Sequence, residues 1–291
     1  MNADAKCRRP VLRYHGGKWR LASWIISQMP PHRVYVEPYC GAASVLLQKP
    51  RAFGEVINDL DGEVVNLFRV LREPAAAKDL INAIRLTPFA RAEFDTAYDR
   101  NILDPVERAR RLMVRSFMGF SSSASGKGSK TGFRSYAYRS YMTPAADWAG
   151  LPAALPAVVQ RLRGVTIENR SAIELVQSHS TPETLLYCDP PYVRSTRSSL
   201  RWPGEKAYAH EMTDDDHRTM AAALSSSAAM VIVSGYRCDL YDEIFNNWIR
   251  CDRAGVIASN TGSATRMESL WLNPAAAQAR GQQSLELEVR A

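Results

Sequence analysis

The chain has 291 residues, 46% of them hydrophobic, enough for one large α/β domain with an insertion or for two modest domains. No run of eighteen apolar residues occurs and residues 1–10 are polar and basic, so neither a membrane span nor a secretory leader is expected, and the cytoplasm is the expected compartment. A formal charge of +7 and a pI near 9.2 are compatible with a polyanionic partner.

Cys7, Cys40, Cys188, Cys238 and Cys251 form no metal-type pair spacing and leave one over, which reads as reduced thiols and no metal site. The first informative stretch is Leu12-Arg13-Tyr14-His15-Gly16-Gly17-Lys18. It precedes an amphipathic run that places Leu21, Trp24, Ile25 and Met29 on one helical face. Gly-Gly before a helix lets backbone approach a ligand closely, though a plain glycine turn has the same composition. Arg33-Val34-Tyr35-Val36-Glu37 reads as a strand, and Pro38-Tyr39-Cys40-Gly41-Ala42-Ala43-Ser44 as a small-residue turn into a helix of Val45, Leu46 and Leu47. Strand, tight turn and helix is the arrangement that brings backbone amides to a nucleotide-like ligand. The low glycine content suits a ligand without phosphates. A second strand, Glu55-Val56-Ile57, ends at Asn58-Asp59. Asp59 stands either where a ribose hydroxyl pair is held or as the cap of a helix starting near Asp61.

Between residues 61 and 162 helices dominate: 63–71, 75–84 and a strong one from Val106 to Met118, opened by Asp104 and Pro105. Residues 121–132 have the composition of a flexible loop. They are followed by Phe133-Arg134-Ser135-Tyr136-Ala137-Tyr138-Arg139-Ser140-Tyr141, where basic residues alternate with rings, as in segments that touch phosphates and pack on bases. A solvated linker is the plainer reading of the loop. Residues 144–162 read as a short loop and a helix.

The α/β rhythm then resumes with a strand at 165–169 and a helix at 172–177. Thr184-Leu185-Leu186-Tyr187-Cys188 is a short buried strand cut off by Asp189-Pro190-Pro191-Tyr192. In an open α/β sheet, ligands bind outside the carboxyl ends of the strands. The two prolines hold Asp189 and Tyr192 on a stiff backbone, so a carboxylate, a proline carbonyl and a flat ring face one small volume. An amine on a planar heterocycle fits: its hydrogens find Asp189 and the Pro190 carbonyl, and its ring finds Tyr192. Asp-Pro-Pro is also a common turn signal. Thr213 with Asp214, Asp215 and Asp216 reads as a capped helix start, which explains the acid triplet without a metal. A strand at 229–234, a polar loop at 260–266 and a last strand at 268–273 complete a doubly wound α/β sheet.

Taken together, Gly-Gly-Lys, then Glu-Pro-aromatic-X-Gly after the first strand, an acid after the second, a long insertion and Asp-Pro-Pro-Tyr resemble the alpha group of adenine-N6 DNA methyltransferases, the Dam-like family. The resemblance covers most of the chain outside the insertion. It implies a Rossmann-like methyltransferase sheet built from residues 1–65 and 160–291, with a mostly helical DNA-recognition insertion at 66–159 carrying a basic loop at 119–141. It also implies S-adenosylmethionine across Tyr14, His15, Gly16, Gly17 and Lys18, across Pro38, Tyr39, Cys40 and Gly41, with Asp59 on the ribose and Asn169, Arg170 and Asp189 nearby. Tyr39 stands where the family usually has phenylalanine, Tyr14 where it has tryptophan, and Ala43 where it has the turn's second glycine.

By the same resemblance, Asp189, Pro190, Pro191 and Tyr192 are catalytic, and the target adenine is flipped out of double-stranded DNA before transfer. Arg13 is implied as a DNA contact, and Arg115, Lys127, Lys130, Arg134, Tyr136, Tyr138 and Arg139 are the insertion's candidates. The implied setting is the cytoplasm of a prokaryote or a phage-infected host, in restriction-modification or a related role, with no membrane and no obligate protein partner. Cytosine N4 or RNA adenine is the rival substrate, and a non-catalytic DNA-binding protein the rival class.

Overall fold

The computed structural model describes residues 6–99, 101–120, 130–135, 142–197, 210–259 and 262–290, with side chains described for all of these but 255–266 and 283–290. Its centre is a seven-stranded sheet: β1 (Val34–Glu37), β2 (Gly54–Asn58), β3 (Val165–Glu168), β4 (Thr184–Cys188), β5 (Met230–Gly235), β6 (Ile249–Ser259) and β7 (Gly262–Leu272), in spatial order β3-β2-β1-β4-β5-β7-β6. The first five strands pair in parallel, and β7 runs antiparallel to both β5 and β6. From β1 the chain moves outward through β2 and β3, then returns to place β4 on the other side of β1. The boundary between β1 and β4 is therefore the topological switch point, where an open α/β sheet forms a ligand crevice.

β4 and β5 are buried at every position, as parallel strands covered on both faces should be. Alternation sends Leu185 and Tyr187 to one face and Leu186 and Cys188 to the other, and the two faces head separate apolar clusters. On the first face, α1 (Ala22–Ser27) joins α2 (Gly62–Arg72), α3 (Pro74–Leu86), α4 (Arg91–Thr96), α5 (Pro105–Met118), α6 (Pro144–Ala149) and α7 (Leu151–Leu162). The second is covered by α8 (Ala172–Ser178), α9 (Asp214–Ser225) and α10 (Asp239–Ile244), and α11 (Pro274–Arg290) follows β7 and adds Ala276 to the first cluster. None of the helices among the described residues is long and apolar enough to cross a membrane.

Local chemistry accounts for the helix starts. Asp104 caps α5 by accepting from the Glu107 amide at 2.7 Å, with Pro105 in the first turn. α9 opens on a capping box in which Thr213 and Asp216 satisfy each other's amides, so the acid triplet is a helix start as its pattern implied. Asp61, not Asp59, caps α2, accepting from Glu63 at 3.0 Å.

Four expectations change. The helix expected after Ser44 is a run of turns through Gln48, because Gly41 and Ala43 have φ of +47° and +49° and cannot open a right-handed helix. Residues 144–162 form two helices meeting at Gly150 instead of a loop and one helix. The polar loop expected at 260–266 is largely strand: β6 and β7 pair from Ile249↔Leu272 to Ser259↔Gly262, where Val256, Ile257 and Thr265 favour an extended ladder. Arg115 is not a surface residue. It is 2% exposed on the packed side of α5, where its guanidinium donates to the Ala97 carbonyl at the end of α4 and lies 3.8 Å from Glu63, so DNA cannot reach it.

Candidate active site

A cleft of about 280 Å³ opens at the carboxyl ends of β1, β2 and β4, beside the switch point. Tyr14, His15, Gly16, Gly17 and Lys18 form one wall. The β1 end and its turn, from Glu37 through Pro38, Tyr39, Cys40 and Gly41 to Val45, form the floor. Asp59 with its neighbours, Ser171, Ala172 and Ile173, and Asp189 with Pro191 close the remainder, and His210, Met212 and Met220 form the far rim. The segments that the sequence singled out far apart in the chain thus meet in one volume.

Close packing explains the small residues. Gly41 has φ +47° and a Cβ there would come within 2.8 Å of the Tyr14 ring; at Gly17 a Cβ would lie 3.1 Å from the Tyr14 carbonyl. Asp59 is held by the turn itself, one oxygen accepting from the Gly41 amide and the other from the Asp61 amide, each within 2.9 Å. Burial lifts its carboxyl to about 6 against the pull of those two amides. Asn169 and Arg170 stand behind the wall. Asn169 donates to the Asp59 carbonyl at 2.7 Å, and Arg170 bonds Asn58 through its backbone, while Asn58 also donates to the Pro38 carbonyl. They fasten the three strand ends together, and the cleft wall begins one residue later at Ser171.

Asp189 is the hub of the catalytic side. The Lys18 ammonium, 5% exposed, lies 2.9 Å from each of its carboxylate oxygens and 2.7 Å from the Gly16 carbonyl. The Ser234 hydroxyl at the end of β5 donates to Asp189 Oδ1 at 2.7 Å and receives the Tyr187 hydroxyl at 3.2 Å. Tyr192 is buried; its hydroxyl donates to Glu268 on β7, and its ring lies edge-on to Tyr236 at 4.8 Å between centroids. Lys18 sits 4.6 Å over the Tyr192 ring centroid and 3.7 Å from Glu268. Pro190 is buried, and Pro191 lines the cleft.

Among the described residues six acids line the cleft, Glu37, Asp59, Asp61, Asp189, Glu211 and Asp216, against one lysine. Such a surplus on a chain of net charge +7 suits a cationic small molecule, while a polyanion would meet other surfaces. Burial, with Asp189 nearby, pushes Glu37 up to about 8, so it carries a proton at neutrality. Burial also raises the Cys40 and Cys188 thiols, so neither supplies a thiolate nucleophile. Ser44 Oγ is buried at the cleft without a hydrogen-bond partner.

Sequence reading did not single out Glu37, Ser44, Ser234 or Glu268 as site residues. Glu37 opens the Glu-Pro motif, and Glu268 is in phase with Leu270 and Leu272 on a strand face, which points it inward. Of the DNA-contact candidates, Arg13 and Arg134 lie close enough that burial and the second guanidinium both lower the Arg13 pKa. One Arg13 nitrogen, Nη1, is buried without a hydrogen-bond partner. Lys130 is exposed and pairs with Asp95 at 2.7 Å. Lys127, Tyr136, Tyr138 and Arg139 lie outside the described residues.

Comparison with known proteins adds a family. Residues 14–257 match the family model described as D12 class N6 adenine-specific DNA methyltransferase. A search of curated proteins found no match. Among solved structures, precorrin-8w decarboxylase of Methanobacterium thermoautotrophicum aligns over 87% of this chain and 88% of its own, at 10% identity and a TM-score of 0.33, a likeness too weak to carry an argument.

Proposed function

Since the chain belongs to the D12 class of N6-adenine-specific DNA methyltransferases, we propose that its acid-lined cleft holds S-adenosylmethionine and that a flipped-out adenine enters beside it against Asp189. Membership makes adenine N6 in DNA the methyl acceptor. The observation that carries the reading is Asp189 at the cleft edge, gripped by Lys18, whose ammonium also covers the ring of the buried Tyr192.

The residues present fit that cofactor. Asp59 faces the cleft with spare lone pairs for ribose hydroxyls, the buried Ser44 hydroxyl lacks a partner, and Gly17 and Gly41 leave room where any side chain would collide with Tyr14. Tyr14 to Lys18 and Pro38 to Gly41 would hold the rest. When bound, the cofactor supplies a methyl group on a cationic sulfur, so a C–N bond forms as the C–S bond breaks with its electron pair left on sulfur.

The adenine amine is a weak nucleophile because its lone pair is delocalised into the ring. Asp189 and the Pro190 carbonyl would accept its two hydrogens, favour a pyramidal nitrogen and aim the lone pair at the methyl carbon, and Asp189 would receive the proton that nitrogen sheds. Tyr192 would take the face of the base once it leaves the stack. This is catalysis by positioning and electrostatics, with no covalent link to the enzyme. A DNA phosphate would offset the burial and the Arg134 charge that lower the Arg13 pKa and would give its buried Nη1 a partner, with Lys130 and the helical region 66–159 as further candidate contacts.

Incubation of the purified protein with duplex DNA and S-adenosylmethionine labelled in the methyl group, followed by nucleoside analysis, tests the proposal. Label in N6-methyldeoxyadenosine, lost in Asp189→Ala, is expected. Undiminished transfer by that variant, or cofactor binding without label in adenine, would overturn it.

A further inference from the structure

Lys18 occupies both groups that the target adenine needs. Its ammonium takes both Asp189 oxygens at 2.9 Å and covers the Tyr192 ring at 4.6 Å. A second carboxylate waits 3.7 Å from the same nitrogen: Glu268, which lies beyond the residues matched to the family model and is 5% exposed. Glu268 already accepts the Tyr192 hydroxyl, so it is tied to the ring that the base would stack on.

We infer that Glu268 is a positioning residue that takes the Lys18 ammonium from Asp189 when the adenine amine arrives. This rests on the base-binding reading above. A buried ammonium cannot simply be displaced, because leaving it without a counter-charge in a dry site is strongly unfavourable. Motion over a fraction of the side chain's length brings Lys18 from one carboxylate to the other, uncovers the ring and leaves Asp189, among the described residues, with the Ser234 hydroxyl on Oδ1. The amine then meets a carboxylate with acceptor capacity to spare. No proton or bond changes hands in this step: one ion pair replaces another.

The test is a double-mutant cycle on the full chain with DNA that the wild-type protein methylates. In single-turnover assays at saturating DNA, Glu268→Gln should slow methyl transfer about tenfold while cofactor affinity by calorimetry stays within about twofold. In a Lys18→Met background, where no ammonium has to move, Glu268→Gln should change the rate by less than about twofold. With 2-aminopurine in place of the target adenine, the fluorescence rise on binding should also be smaller for Glu268→Gln. An equal loss in both backgrounds, or no loss in either, overturns the hand-off and leaves Glu268 only a brace for Tyr192. Should Glu268→Gln not fold, Glu268→Asp, which keeps the charge on a shorter stem, must outperform Glu268→Ala in rate, and equality overturns the inference. Failure of the wild-type protein to label adenine would instead overturn the functional reading itself.

Discussion

Two buried ion clusters stand at opposite ends of the parallel strands, and their charge balance is reversed. At the amino end, Glu55 at the start of β2 is held by Lys49 at 2.9 Å and by Arg161 at 2.5 and 2.8 Å, with Arg51 at 3.9 Å. One carboxylate there serves three cations and ties β2 to α7. At the carboxyl end, one ammonium, Lys18, serves Asp189 and Glu268, with the buried Glu37 close by. Burial pushes the Glu55 carboxyl up, but hydrogen bonds from Arg161 and Lys49 outweigh it and leave it below its ordinary range. Glu37 and Glu268 are both raised, chiefly by burial. A saturated cluster fastens the fold. An acid surplus held by one movable cation is poised to bind something that brings donors or positive charge.

The most forceful way to break this contrast is to neutralise one carboxylate at each end. Glu55→Gln leaves Lys49 and Arg161 buried with no full counter-charge and should cost about 3–5 kcal/mol of stability, read by denaturant unfolding, while the methylation rate per folded molecule holds. Asp189→Asn should reduce methyl transfer by about 10²–10³-fold, with a far smaller shift in the unfolding midpoint. If both variants lost stability alike, the two clusters would be the same kind of structure.

Proton linkage sharpens the contrast, since the two ends respond to pH with opposite sign. Glu37 has a folded pKa of about 8 against an ordinary 4.5. The stability it contributes is fully present below 4.5 and is lost as pH rises through 8, on the order of a few kcal/mol at 1.36 kcal/mol per unit. Glu55 is depressed, so its contribution is present above its ordinary range and is lost as pH falls through its folded value. Unfolding of wild type and Glu37→Gln between pH 5 and 9 should show the wild type losing more stability over that window. Parallel curves would mean that Glu37 titrates normally.

The same division explains what was legible in the sequence. β1, β2 and β4 announce themselves as short apolar runs ended by acids or prolines, β5 as an apolar run ended by Ser234-Gly235, and the sharp breaks after Glu37, Asn58 and Cys188 mark the cleft floor in the sequence itself. Helix starts at Asp104 and Thr213 follow from capping chemistry alone, whereas for α2 the same chemistry pointed to Asp59 and the cap is Asp61. What escaped depends on partners distant in the chain. Arg115 follows Arg108 and Arg111 on a basic helical face, and only Glu63 and the end of α4, placed by the fold, turn that face inward. Glu268 carried a legible period-2 signal, but its partners Lys18 and Tyr192 lie 250 and 76 positions away. The β6–β7 ladder was hidden because its serines, threonines and glycine have loop composition, and pairing across the ribbon decides the outcome.

Backbone strain follows the same polarity and gives a smaller test. Gly16 and Gly41, both with positive φ, lie at the cleft. Gly41→Ala places a methyl group 2.8 Å from the Tyr14 ring at φ +47°. It should cost about 1–2 kcal/mol in stability and weaken cofactor binding, measured by calorimetry, because either Tyr14 or the turn must shift. Unchanged affinity would remove the Gly41 turn from the cofactor site.

The smallest effect concerns Ala43. At the amino end of the sheet, the left-handed position before β3 is Gly164, at φ +79°, with nothing within 4 Å of where a Cβ would lie. At the cleft, Ala43 holds φ +49° with a side chain, the one non-glycine residue at positive φ among the described residues. Left-handed backbone costs an alanine about 1–2 kcal/mol, whereas glycine adopts it freely but loses about 0.5–1 kcal/mol of extra chain entropy on folding. Ala43→Gly should therefore raise stability by under about 1 kcal/mol, and Gly164→Ala should lower it by a similar amount. Strain retained only where the cleft is built is the pattern of a functional turn held by its surroundings, here the Asp59 carboxylate on the Gly41 amide and the Cys40–Asn58 backbone bond. If Ala43→Gly destabilised the fold, the turn would be relaxed as it stands, and the two ends of the sheet would differ in charge alone.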